Sequence, residues 1–505
     1  FTQMPDQTNS PPPPKEAPAA ITRSQRLLVL YACIGFILIS SIEGTIVATV
    51  MPEIVGDLGG FELFSWVFTG YLLTQAVIIP IYGRLADVYG RRKMLLVATV
   101  LFALGSILCG CAWNMLSLIA FRVAQGIGAG GLVPVSQTVV GDLYTPVERA
   151  RISAYLSSMW AIGSIIGPLL GAFLIAHTVW SMVFWINVPI AAIAATMLVL
   201  WLKEEPQHHE RRIDYLGGVL LTAGSALLMF ALVEVGQLDL TIVAALAAAG
   251  LVLLVGFFRL EQRSPDPMLP VALLKNRMVA SASLGGLFSG AILMGATAFV
   301  SVFVQGVMGR SALIAGLVLT TPSVTWVIGS MSSGWMMLRS SYRATIVMGG
   351  IVLLVGGIIM VMLDANSGPL MAGLGVGLVG IGMGFTTNTY TVSAQGSVGW
   401  TQRGIATSMT MFMRQVGQAA GAAIFGGTMN AELVKHGASA DIVDRIMSPA
   451  LRASIPSDVL ATMAGAIETG LNHVYWITLG LAFAVMMTAL LLPPRLNARI
   501  DTQRR

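Results

Sequence analysis

The stretch SIEGTIVATVMP (residues 41–52) sets one carboxylate, Glu43, inside a run that is otherwise uncharged. From Leu27 to Met51 no other ionisable carboxylate, lysine or arginine appears. A helix of about 20 mostly apolar residues crosses the hydrocarbon core of a bilayer, so this run is long enough to span one. A charge at that depth costs at least about 2.5–3.5 kcal/mol on insertion scales. Residues that carry such a cost face a bundle interior and mark ion or substrate pathways. Glu43 therefore predicts both a membrane helix and a job inside it.

The rest of the chain has the same character. Of 505 residues, 55% are hydrophobic and only 10% charged, against about 25% charged in soluble domains. Mean hydropathy is +0.79. Lipid must be the solvent over most of the chain. The net charge of +5 then reads as a distribution across a membrane, and no nucleic-acid partner is expected. Cys33, Cys109 and Cys111 lie in apolar runs and read as packing residues rather than a disulfide or metal framework.

Fourteen runs are long and apolar enough to cross a bilayer. They cover 27–51, 63–82, 95–113, 115–140, 151–176, 179–202, 216–234, 240–258, 279–306, 312–337, 344–363, 370–395, 404–430 and 473–492. The expected organisation is a disordered cytoplasmic tail (1–26), a six-helix bundle (27–202), two inserted helices with their loops (203–278), a second six-helix bundle (279–492) and a tail (493–505). Residues 431–472 are expected as a helical hairpin over the outer face, from the apolar spacing of DIVDRIMSPALRA and DVLATMAGAIE. An even span number puts both termini on one side. Of the 29 Lys and Arg, the loops and tails on that side hold all but Arg310, Lys435, Arg445, Arg452 and the two inside spans, Arg122 and Arg414. Positive charge accumulates on the cytoplasmic side, so both termini are expected there.

The chain also looks duplicated. Span 4 reads RVAQGIGAGGLVPV and span 12 AGLGVGLVGIGMGF. Span 5 holds GSIIGPLLG and span 13 VGQAAGAAIFG. Small residues at four-residue spacing let membrane helices approach closely. Gly-rich spans at matching places in two halves point to a transporter with a central site.

Two basic residues sit inside spans. Glu43 is about nine residues from the outer end of span 1, and Arg122 about seven from that of span 4. At 1.5 Å per residue their depths nearly match, so they are expected to pair. Burial raises a carboxyl pKa and a nearby cation lowers it. Glu43 is thus the expected proton carrier, with Arg122 tuning it; a permanent ion pair between two helices is the other reading. Arg414 has two readings as well, a structural partner of Gln415 and Gln418 or a substrate contact. Glu234 and Asp364 read as solvated helix-end charges. Gly163, Gly167, Pro168 and Gly171 predict a tight helix seam. Gln75, Trp160, Gln305, Trp326, Asn388, Tyr390, Phe412 and Arg414 are the candidate lining of a mostly apolar substrate cavity.

The loop GRLADVYGRRK (83–93) resembles the signature loop of the major facilitator superfamily. Val88 replaces its usual basic residue. AFRVAQGIGAGG and GSIIGPLLGA are similar to that family's fourth- and fifth-helix motifs, the latter associated with antiporters. SIEGTIVATVMP, WSMVFWINVP (180–189) and QRGIATSMTMFMRQVGQAAG (402–421) resemble the drug:proton antiporters with fourteen spans, with Glu43 where they usually carry Asp. The resemblance implies an all-α major facilitator fold. It also implies a proton-coupled efflux antiporter for amphipathic compounds, working by alternating access in the bacterial inner membrane. An exporter of lipids, siderophores or other metabolites is the alternative. In the signature loop, Gly83, Asp87, Gly90, Arg91 and Arg92 would gate the conformational change. Protons are the coupling ion and no cofactor, metal or catalytic residue is expected. The expected partners are the bilayer, a lipophilic substrate and, as some relatives allow, a periplasmic adaptor, with the chain a monomer. A membrane enzyme finds no support: His177, His208, His209, His436 and His473 are scattered, and no nucleophile or nucleotide-binding motif appears.

Overall fold

The computed structural model describes residues 22–144, 146–202, 214–234, 238–264, 271–398, 403–436, 446 and 455–493. Within those helices some side chains also lie outside the description, including Arg84 and Asp87. Fourteen long helices run through the described residues: α1 (Arg23–Leu58), α2 (Phe64–Tyr89), α3 (Arg91–Gly110), α4 (Met115–Leu143), α5 (Pro146–His177), α6 (Met182–Trp201), α7 (Tyr215–Val233), α8 (Leu240–Arg263), α9 (Arg277–Val307), α10 (Ala312–Arg339), α11 (Tyr342–Val361), α12 (Pro369–Gly396), α13 (Arg403–Lys435) and α14 (Ser457–Thr488). Twelve are long and apolar enough throughout to cross a membrane. The other two are longer than 30 residues: the described apolar part of α5 is Ile162–His177, and α13 carries Arg414, Gln415 and Gln418 in its middle.

Local chemistry sets the helix ends. Thr22 accepts the Gln25 amide at 3.3 Å while Gln25 Oε1 accepts the Thr22 amide at 3.0 Å, a capping box that starts α1. α1 therefore begins inside the stretch expected as tail, and residues 1–21 lie outside the described residues. Asn114 caps α4 in the same way, accepting the Ser117 amide at 2.8 Å. Gly59 and Gly60 end α1 with φ of 68° and 78°, a region where glycine is favoured. α9 is interrupted by two π-turns, Gly295–Phe299 and Phe303–Val307. The second carries Gln305.

The duplication is visible in the packing. Gly126 and Gly130 of α4 lie against α2, and Gly128 lies against Phe102 of α3; a Cβ on any of them would strike the neighbour. Gly380 and Gly384 of α12 repeat this against Pro322 and Trp326 of α10, and Gly382 against Gly349 of α11. Likewise α5 packs on α1 through Gly163, Gly167 and Gly171, as α13 packs on α9 through Gly417 and Gly421. Helices α1–α6 and α9–α14 are thus two copies of one arrangement. α7 packs against both α2 and α13, and α8 packs on α7. Ala76, Val77, Leu221, Phe257 and Phe412 form the buried cluster that docks this pair.

The last helix differs from the expectation. DVLATMAGAIE (458–468) forms the first turns of α14 itself, because its apolar face continues unbroken into the span. DIVDRIMSPALRA lies outside the described residues apart from Ile446. Glu432, near the end of α13, accepts Lys435 Nζ at 3.0 Å. That bond and the charges of Lys435, His473 and His436 hold its carboxyl below the usual carboxylate range.

Candidate functional site

Glu43 meets Arg122 in the interior of the first half. Their side chains form an ion pair through Glu43 Oε1 and Arg122 Nη1. The residues are 1% and 2% exposed, so solvent screens the pair very little. The second carboxylate oxygen, Oε2, accepts Asn187 Nδ2 at 2.6 Å. Arg122 Nη1 also donates to Gln125 Oε1 at 2.6 Å, and Nε to the Val67 carbonyl at 3.4 Å. Gln125 Nε2 in turn donates to Ser106 Oγ at 2.8 Å. The guanidinium lies 3.8 Å from the Tyr71 ring centre, within cation–π range. Five helices contribute: α1, α2, α3, α4 and α6.

Packing holds this cluster rigid. Gly105 of α3 lies so close to Gln125 that an added Cβ would sit 2.5 Å from its Cα. Gly126, next in the chain, does the same against the Tyr71 carbonyl at 2.7 Å. The glycines of AFRVAQGIGAGG therefore place Arg122 and Gln125 by letting α2 and α3 close on α4. One group is left over. Asn187 Oδ1 is buried without a hydrogen-bond partner. Asn187, Gln125, Ser106 and Tyr71 were not singled out as site residues from the sequence. Their signal was a polar atom in an apolar helix, a signal shared by many residues that only bond their own backbone.

The two halves are joined at successive depths. Call the side of both chain ends the terminal face. Nearest the opposite face, Asn430 Nδ2 donates to the Glu62 carbonyl at 2.7 Å. Gln305 Nε2 donates to the Thr49 carbonyl at 3.0 Å. Deeper, Ser323 Oγ donates to the Ser164 carbonyl at 2.9 Å, and Gln415 Nε2 to Gln75 Oε1 at 2.6 Å. Gln418 Nε2 extends that chain to Gln415 Oε1 at 2.9 Å. Towards the terminal face, the positions of a Cβ on Gly83 and Gly334 meet nothing within 4 Å.

The remaining predicted residues fall into three groups. Gly163, Gly167 and Gly171 seat α5 on Ser41, Thr45 and Ile46 of α1, so this seam lies within one half. Its links to the other half are the Ser164 carbonyl, bonded by Ser323, and the Pro168 carbonyl, 2.9 Å from where a Gly316 Cβ would sit. Gln75, Gln305, Trp160 and Arg414 lie at the junction of the halves, with Arg414 Cζ 5.8 Å from the Trp160 ring centre. Tyr390 and Phe412 do not meet there. Asn388 Nδ2 donates to Ser333 Oγ at 2.8 Å, tying α12 to α10, and Trp326 of α10 is partly buried against the main core. The Tyr390 hydroxyl bonds Thr488 Oγ1 at 2.6 Å inside the second bundle. Phe412 faces the inserted helices. Span-level polarity carries no rotational phase, which is why the sequence groups Tyr390 and Phe412 with the lining.

In the signature loop only one glycine makes the turn. Gly90 has φ 94° between α2 and α3. Gly83 lies inside α2 and takes no part in the turn. Arg92 Nη2 donates to the Val199 carbonyl at 2.7 Å, fastening α3 to the end of α6. Arg91 opens α3. The Asp87 side chain lies outside the described residues. Gly90→Ala should cost about 1–3 kcal/mol of stability, the strain of an L-residue in a sparsely populated region. Gly83→Ala should be neutral or gain up to about 1 kcal/mol, the helix-interior glycine penalty removed. Thermal melting of the two variants in detergent separates them; equal losses would contradict this assignment.

Residues 33–422 match the family model described as Major Facilitator Superfamily. The chain belongs to the major facilitator superfamily. Relatives agree in extent as well as in pattern. This facilitator is 31% identical over 476 residues to Multidrug resistance protein 3 of Bacillus subtilis, covering 90% of this chain and 93% of that one. It is 34% identical over 412 residues to Multidrug transporter protein MdtP of the same organism, covering 81% and 76%. In fold, it is similar to a bacterial homologue of the human lysosomal transporter Spinster in an inward-facing, occupied conformation. The TM-score is 0.66 at 16% identity, covering 93% of this chain and 97% of that one. The protein is a multi-pass membrane transporter, not an enzyme.

Proposed function

We propose that this facilitator is a multidrug efflux antiporter that exchanges amphipathic compounds for protons, with Glu43 as the proton carrier. The observation that carries the reading is the Glu43–Arg122–Asn187 cluster. Ionised Glu43 is held by a cation and an amide N–H. Protonated Glu43 loses the charge attraction to Arg122 but gains an O–H donor. Asn187 Oδ1, buried and unpartnered, becomes an acceptor for such a donor once the amide turns over. Arg122 keeps Gln125, Val67 and the Tyr71 ring when the carboxylate is neutralised. Both protonation states thus have partners, and the switch between them loosens α4 from α1. The names of the Bacillus relatives support drugs as cargo.

The junction between halves fits alternating access. Its bonds lie from the opposite face to mid-depth, and Gly83 and Gly334 face open space on the terminal side. With positive loops inside, that open side is the cytoplasm. Purified protein in liposomes tests the function: an imposed pH difference should drive a fluorescent lipophilic dye. Dye movement that survives collapse of the pH difference would contradict proton exchange.

A further inference from the structure

Arg414 is a guanidinium at mid-depth of α13 with no carboxylate within ion-pair distance among the described residues. Its Nε is shielded from solvent and has no hydrogen-bond partner. The other intramembrane arginine, Arg122, has an acid, an amide and a carbonyl. An arginine at this depth is costly and is normally paired. The contrast needs a cause, and helix packing does not supply one. α13 is pressed onto α9 by backbone approaches: a Cβ on Gly290 would strike the Arg414 carbonyl, and one on Gly417 the Leu287 carbonyl. Those contacts use backbone and would be the same with any side chain at 414.

The surroundings of the guanidinium are those of a ligand site. Trp160 of α5 stands 5.8 Å from Arg414 Cζ, across the junction of the halves. One residue on, Gln415 bonds Gln75 and Gln418 and closes the junction at this level. Arg414 and Trp160 are both only partly buried, just where the bonded part of the junction gives way to the open side. An aromatic face, amides and one uncompensated cation recognise a flat apolar body bearing an anion.

We infer that Arg414 and Trp160 form the anchoring site for amphipathic substrates that carry a carboxylate or sulfonate, the anion on the guanidinium and the apolar body against the indole. This rests on the efflux reading above and names a substrate class for it. Outward release would follow when the halves part at Gln75–Gln415 and Trp160 leaves Arg414.

A matched pair of probes tests it: dansylglycine, an anion, and its neutral methyl ester. Equilibrium binding to the full-length protein in nanodiscs is read by energy transfer from tryptophan to dansyl. Wild type should bind the acid at least tenfold more tightly than the ester. Arg414→Met should erase that preference while leaving ester binding within about twofold, and Arg414→Lys should keep part of it. No preference in wild type would overturn the proposal without any variant, and so would an undiminished preference in a folded Arg414→Met. The readout is binding and needs no pH gradient. Failure of proton exchange with the preference intact would overturn the coupling and leave this site standing.

Discussion

Arg122→Met should remove transport and lower stability by about 3–5 kcal/mol, the range for breaking a buried ion pair by deleting one partner. The cause is the carboxylate left behind. Glu43 is 1% exposed, and its Oε1 would lose its cation while Oε2 kept only the Asn187 amide. Adding Glu43→Gln to Arg122→Met removes the stranded charge. The double variant should recover most of the melting temperature and none of the proton-driven transport. Thermal melts, paired with flux in liposomes, measure both halves of this. Recovery of transport in the double variant would show that the pair is dispensable for coupling.

Gly417→Leu should damage both folding and transport. The ideal Cβ position at Gly417 falls well inside contact distance of the Leu287 carbonyl. Backbone cannot rotate away as a side chain can, so α13 and α9 must separate. Overpacking of a close-packed interior costs about 1–3 kcal/mol and occasionally more. The same separation would move Arg414, three residues earlier on α13 and itself seated against Gly290. Transport should fall even in whatever fraction folds. Gly256→Leu on α8 is the control, because nothing lies within 4 Å of its Cβ position. Comparable melting temperatures for the two would mean the α9–α13 approach is looser than described.

Much of this was readable in the chain because the bilayer constrains it so strongly. Backbone polar groups in lipid must be satisfied internally, so each long apolar run had to be a helix. Boundaries moved by up to seven residues, as where α1 runs on to Leu58 and α2 to Tyr89, and by more at α14, where Ser457 rather than residue 473 begins the helix. Depth arithmetic brought Glu43 and Arg122 to one level, and they meet. The rest needed rotation about helix axes, which hydropathy does not report. Asn187 sits in WINVP, one more polar residue near a helix start, and nothing in its spacing says that it turns toward Glu43. Tyr390 and Gln75 looked alike as polar residues in spans. One lies inside a bundle against Thr488 and the other joins the two halves. Glycines were ambiguous for the same reason. Gly83 and Gly90 share a motif, yet only Gly90 has the positive φ.

The central claim is that Glu43 carries the coupling proton. It is tested most directly by Glu43→Gln in liposomes, with the same pH difference imposed on wild type and variant and a fluorescent amphipathic sulfonate as the reporter. The amide keeps the size of the carboxyl and can bond Asn187, but it cannot exchange a proton. The account predicts pH-driven dye movement in wild type and none in the variant, with both still binding the dye. Equal movement in both would make the Glu43–Arg122 pair a fixed strut between α1 and α4, and the proton carrier would have to be sought elsewhere.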